Sequence, residues 1–142
     1  MTITKTHARE LEDLCRKFSL AFIVLHGSRA TGREQQGSDL DIAYMPKRAL
    51  SLDDELALHE KIAGVLGDTR DRELDLKSLR GADPLFMYEV ARDSVFLAGD
   101  PAAYEEFRND AFVRFHDSKD LRDLEQHLLR KSLRRLAESH AQ

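Results

Sequence analysis

Hydrophobic and polar positions along the chain change period repeatedly, and each change marks a new element. Leu11, Leu14 and Cys15 stand among charged neighbours at helical spacing, which predicts a helix over 4–17. Leu20 to Leu25 is an apolar run rich in β-formers that ends at His26-Gly27-Ser28. That pattern predicts a buried strand running into a turn. A polar stretch follows from Arg29 to Gly37, and Asp39 to Met45 then reads as a second strand stopped by Pro46. Leu52, Leu56, Ile62, Val65 and Leu66 predict a helix over 52–66, with Asp53 and Asp54 favourable at its N-terminus and Gly67 ending it. Glu73 to Leu79 alternates as a third strand.

Beyond residue 80 the pattern is mainly helical. Asp83-Pro84 opens a helix to about Arg92, since proline is tolerated in the first turn. Ser94 to Ala98 reads as a short edge strand. Asp100-Pro101 opens another helix and Asp117-Ser118 a last one. The last carries Leu121, Leu124, Leu128, Leu129, Leu133 and Leu136 as one apolar stripe. Two readings of that stripe stay open: packing on the chain's own sheet, or contact with a partner, with Arg130, Lys131, Arg134 and Arg135 nearby. The class is α/β (or α+β), with a small sheet in the first half and a helical C-terminal part. No repeat or Pro/Gly-rich linker interrupts the chain, so 1–142 is expected to be one domain, with a core over 18–80 and C-terminal helices over 83–138.

Composition narrows the class further. The 142 residues are 42% hydrophobic and 34% charged, enough for an ordinary core. The single cysteine, Cys15, forms neither an internal disulfide nor a CxxC site and is expected to be a packed or partly exposed thiol. The formal charge of −4 argues against tracking a nucleic-acid backbone, which a basic face would do. No apolar run approaches the ~18 residues of a membrane span, and the first residues lack a signal-peptide pattern. A soluble, cytoplasmic protein with no direct nucleic-acid or membrane partner is expected.

Two features carry chemistry. Gly27-Ser28 sits where a strand gives way to a loop; glycine there lets backbone approach a ligand, and a following helix N-terminus offers N–H groups to phosphate. Asp39 and Asp41 lie two apart on the second predicted strand, so both side chains point to one face. Such a pair repels, and a divalent cation with hard oxygen ligands, magnesium above all, resolves the conflict. A solvent-exposed edge or a turn capped by Ser38 and Asp39 would account for an isolated DxD equally well.

The spacing decides between them. Ten residues separate Ser28 from Asp39, with Gly32 between and a strand on either side. The segment GSRATGREQQGSDLD, through Gly27, Ser28, Arg29, Gly32, Ser38, Asp39 and Asp41, resembles the GS-x10-DxD signature of the polymerase-β-like nucleotidyltransferase superfamily. The resemblance implies a small mixed β-sheet nucleotidyltransferase core flanked by helices. It also implies a third carboxylate from a neighbouring strand. Strand alternation allows Asp75 or Glu73, which share a face. The stretch Asp75-Leu76-Lys77-Ser78-Leu79-Arg80 resembles the DLVDLR-type strand of small members, whose first aspartate is the ligand, and this favours Asp75.

What the resemblance implies is an enzyme in which Asp39, Asp41 and Asp75 hold two Mg2+ ions. Gly27, Ser28, Arg29 and Ser38 would bind the nucleotide, and AMP would pass from ATP to an acceptor. The chain is most similar to the stand-alone minimal nucleotidyltransferases, MntA-like antitoxins paired with HEPN-domain, HepT-like toxins. Ala82-Asp83-Pro84-Leu85-Phe86 and Asp100-Pro101-x-x-Tyr104-Glu105-x-Phe107 resemble segments of that group. The implied reaction is adenylylation of a tyrosine of the partner toxin RNase, which neutralises it. Two alternatives remain: nucleotidylation of a small molecule such as an aminoglycoside, or stoichiometric neutralisation by binding. His26 and Thr31 depart from the group's pattern. His26 is read as a strand-end histidine with a structural hydrogen bond, with contact to the nucleotide as the alternative.

Overall fold

A computed structural model describes residues 3–27, 40–67 and 73–140. Ser28, Arg29, Ser38 and Asp39 lie outside the described residues. The elements are α1 (Lys5–Phe18), β1 (Leu20–His26), β2 (Leu40–Pro46), α2 (Leu52–Leu66), β3 (Leu74–Ser78), α3 (Pro84–Arg92), β4 (Ser94–Gly99), α4 (Pro101–Asp117) and α5 (Lys119–His140).

Local chemistry sets most of the boundaries. Thr4 accepts from His7 N–H and the His7 side chain reaches back to the Thr4 N–H, so a capping box starts α1. Ser51 Oγ accepts from Asp54 N–H at 3.1 Å and starts α2. The two Asp-Pro pairs act alike: Asp83 accepts from Leu85 N–H at 2.8 Å and Asp100 from Ala102 N–H at 3.0 Å, each with proline in the first turn. Pro46 does not stop β2 short of itself; it is the last strand residue, opposite Leu20. Its missing N–H falls at the strand end, and pairing resumes where Lys47 N–H donates to Ser19 O at 2.9 Å.

The four strands form one mixed sheet in the order β3-β2-β1-β4. β1 runs antiparallel to both β2 and β4, while β2 and β3 are parallel and joined through α2. β4 is an edge strand, as the sequence predicts. Strand alternation sorts side chains to two faces. Ile23, Leu40, Ile42, Tyr44 and Leu74 pack with Leu11, Leu14, Leu58 and Ile62 of α1 and α2. On the other face, Phe22, Val24 and Ala43 pack with Val90, Tyr104, Phe107 and Ala111 of α3 and α4. Phe22 is central there, its ring 5.5 Å from those of both Tyr104 and Phe107.

The last helix carries its described leucines clear of the sheet. Its first turn is pinned by Arg122, which donates to Ser118 Oγ at 2.6 Å and to Phe115 O at 3.0 Å and lies over the Phe115 ring at 3.5 Å. Further along, Leu128, Leu129, Leu133 and Leu136 are all more than half exposed. Of the two readings of the stripe, burial against the chain's own sheet does not hold for these four positions. No helix among the described residues is long and apolar enough to cross a membrane.

Candidate active site

Sheet register assembles a polar row at one end of the α3/α4 face. His26, the last residue of β1, is opposite Asp41 of β2, and Asp41 is opposite Asp75 of β3. On the other side His26 is opposite Ser94 of β4. Directly paired residues share a face, so Asp75, Asp41, His26 and Ser94 form one line across four strands. Of the other β1 and β2 residues on that face, Phe22, Val24 and Ala43 are buried and apolar, and Met45 is partly buried. The polar row therefore marks where the core stops and a site begins.

The two aspartates sit on neighbouring strands, whose spacing is ~4.8 Å. Like charges that close disfavour each other. Lys77, two residues after Asp75 and so on the same face, brings its Nζ to 3.6 Å from Asp75 Oδ2. Its side chain is 54% exposed, so this bridge is solvent-screened and readily exchanged for a bound cation or anion. At Asp41 the crowding is of another kind. Gly27 has φ +79°, and a Cβ built there would stand 2.6 Å from Asp41 Oδ2. The backbone after β1 thus comes against the carboxylate in a cradle that any larger residue would fill.

His26 closes the row. Its ring meets Phe86 of α3 edge to face, with centroids 5.6 Å apart at 81°. Nε2 is buried and, among the described residues, has no hydrogen-bond partner, so the structural hydrogen bond expected of this histidine is not made through that atom. Burial holds the imidazole below its ordinary pKa; Asp75 pulls it upward and Lys77 pushes it down. Lys77 Nζ also lies 5.3 Å from the Phe86 ring centroid, a cation–π contact linking β3 to α3.

Of the residues expected at the site, Gly27, Asp41 and Asp75 come together. Glu73, the competitor of Asp75, is exposed and precedes β3, and its carbonyl accepts from Leu40 N–H at 2.9 Å. Asp75 is the carboxylate in register with Asp41. Among the described residues no group of three or more His, Cys, Asp and Glu gathers to hold a metal. The two that do meet, both hard oxygen donors beside a close backbone, fit a divalent cation sharing its shell with substrate oxygens. The sequence offers Lys77 and Phe86 only within family-like segments and assigns neither a role at the site. Period-2 alternation from Asp75 points to Lys77, whereas Phe86 comes from a helix whose docking no local pattern gives.

Residues 9–101 match the family described as Polymerase beta, Nucleotidyltransferase, and the chain belongs to that family. No curated protein matches it. Among solved structures it is similar to a chain of a toxin-antitoxin complex with AMP-PNP, at 24% identity and a TM-score of 0.67, covering 86% of this chain and 98% of that one. It is also similar to a chain from the complex of a tri-AMPylated Shewanella oneidensis HEPN toxin with MNT antitoxin, at 22% identity and TM-score 0.63, covering 88% and 98%. A spectinomycin adenyltransferase from Enterococcus faecialis, with ATP and spectinomycin, matches at 16% identity and TM-score 0.54, covering 73% of this chain and 59% of that one. At these identities the likeness is one of fold.

Proposed function

We propose that this chain is a magnesium-dependent adenylyltransferase that moves AMP from ATP to a tyrosine of a HEPN-domain toxin and so acts as its antitoxin. The observation that carries the proposal is the register match of Asp41 with Asp75 beside the Gly27 backbone, in a chain of the nucleotidyltransferase family. Likeness to toxin-antitoxin chains over nearly their whole length, one with AMP-PNP and one with an AMPylated toxin, supports the nucleotide and the partner.

Asp41 and Asp75, joined by Asp39, would hold the Mg2+ ions, which when bound supply positive charge to the triphosphate and its leaving group. Gly27 allows the chain after β1 to approach phosphate closely, with Ser28, Arg29 and Ser38 donating to phosphate oxygens. Positioning and electrostatics provide most of the rate in this chemistry. The exposed leucines of α5, with Arg130, Lys131, Arg134 and Arg135, offer the partner a face already projected from the body. Work inside the cytoplasm, where ATP and the toxin's RNA targets lie, follows from this reading.

The experiment is incubation of the chain with labelled ATP, Mg2+ and a HEPN partner protein. Label on a partner tyrosine, lost with EDTA and with Asp41→Asn, is the expected result. A second reading, transfer to a small molecule, is favoured by the likeness to the spectinomycin enzyme. It predicts turnover with an aminoglycoside or spectinomycin and no partner protein. Protection from the toxin by Asp41→Asn would instead favour neutralisation by binding alone.

A further inference from the structure

We propose that Lys77 and Phe86 form the acceptor subsite beside Asp75, and that this subsite selects an aromatic hydroxyl over a polycationic sugar. The inference rests on the adenylyltransferase reading and names which residues choose the acceptor.

The carboxylate pair divides the site into two sides. Gly27 crowds Asp41 from the β1 side. Lys77 meets Asp75 from β3, the opposite edge of the sheet. On the proposed reading phosphates come to the Gly27 side of the pair, which leaves the Lys77 side for the acceptor. That side has a distinct chemistry. Phe86 supplies an aromatic wall that reaches across the row, from His26 of β1 to the Lys77 ammonium 5.3 Å from its ring centroid. Lys77 is close enough to Asp75 to act on the same acceptor atom and exposed enough to turn toward it.

A phenol satisfies each element: its ring lies against Phe86, and its oxygen comes between Asp75 and Lys77. In the transfer a bond forms between the phenol oxygen and the α-phosphorus. The bond from that phosphorus to the α–β bridging oxygen breaks, pyrophosphate departs with the electron pair, and the phenolic proton goes to solvent. Negative charge develops on the phenol oxygen as its proton leaves, and an ammonium turned toward it lowers the barrier. A polycationic sugar would instead set its ammonium groups against Lys77, a like-charge contact that counts against it.

The test compares the full chain with Lys77→Met, Lys77→Arg and Phe86→Ala in three measurements: AMP transfer to the HEPN partner, ATP affinity without acceptor, and NMR-detected binding of N-acetyl-tyrosinamide against N-acetyl-phenylalaninamide. Lys77→Met is expected to lower kcat for transfer about 10- to 100-fold, the range below a buried oxyanion donor. ATP affinity should stay within about twofold, and Lys77→Arg should recover most of the rate, because the charge and not the amine is needed. Phe86→Ala is expected to raise the partner KM and abolish tyrosinamide binding. Unchanged transfer by Lys77→Met, or ATP affinity falling in step with transfer, overturns the proposal. Should wild type transfer no AMP, the adenylyltransferase reading fails and the subsite is judged by the amide probes alone. Tyrosinamide binding that needs Lys77 and Phe86 then supports it, and binding indifferent to both overturns it.

Discussion

Replacing Gly27 by alanine separates the site from the scaffold on which it stands. Two costs follow from the geometry. At φ +79° a side chain forces the left-handed region, which costs roughly 1–2 kcal/mol. The new Cβ would also stand 2.6 Å from Asp41 Oδ2, below the 3.0 Å that real contacts respect, so the carboxylate must retreat by at least 3.0 − 2.6 = 0.4 Å. The stability loss corresponds to a fall in Tm of about 2–8 °C for a domain of this size. A misplacement of 1 Å at a reacting centre costs about 10²-fold, so a retreat of several tenths should lower kcat roughly 5- to 20-fold. AMP transfer measured well below the variant's Tm, with circular dichroism to follow unfolding, reads both effects. Full activity at wild-type Tm would refute the reasoning. So would an activity loss that vanishes once the unfolded fraction is subtracted, because the carboxylate would then not depend on this close approach.

Other consequences are simpler to check. Phe22→Ala removes a fully buried ring that touches Tyr104 and Phe107 and should cost about 3–5 kcal/mol in urea unfolding, with the register of the carboxylates unchanged in what remains folded. Burial, aided by Glu12, pushes the Cys15 thiol up to about 12. The unfolded chain therefore loses that proton first, so stability should fall as pH rises past about 9, and more steeply in wild type than in Cys15→Ala. The same thiol should react with a disulfide reagent at pH 8 far more slowly than a free cysteine does. Leu129→Glu with Leu133→Glu, both at exposed positions, should leave Tm within about 2 °C and weaken capture of the HEPN partner in a pull-down; a large Tm loss would mean α5 packs against the body.

Much of this fold is legible in the sequence because its boundaries are set by local chemistry. Asp83 and Asp100 cap the helices that the sequence opens at them, Ser51 caps the helix predicted from Leu52, and Gly67 ends α2. The hydrophobic run of β2 and the alternation of β3 are enough to put Asp41 and Asp75 on strands. Their meeting is not legible in strand alternation; the resemblance implies it, and it depends on a parallel pairing between strands 34 positions apart at that pair. Period 2 sets Asp75 and Glu73 on one face and does not choose between them; the resemblance favours Asp75, and the register sets that residue opposite Asp41. Pro46 misleads because its missing N–H harms a strand's middle and not its last residue. The contact of Phe86 with His26 follows from how α3 lies across the sheet, which helical periodicity alone does not encode.

The most direct test of the central claim is intact-mass and peptide mass spectrometry of a HEPN partner after incubation with ATP, Mg2+ and this chain, alongside Asp41→Asn and Asp75→Asn. The site geometry predicts adenylate on a partner tyrosine with wild type and at least a ~100-fold slower transfer with either variant, in keeping with loss of a group that holds the reacting charges. Unmodified partner with wild type, or modification that survives in both aspartate variants, would contradict it.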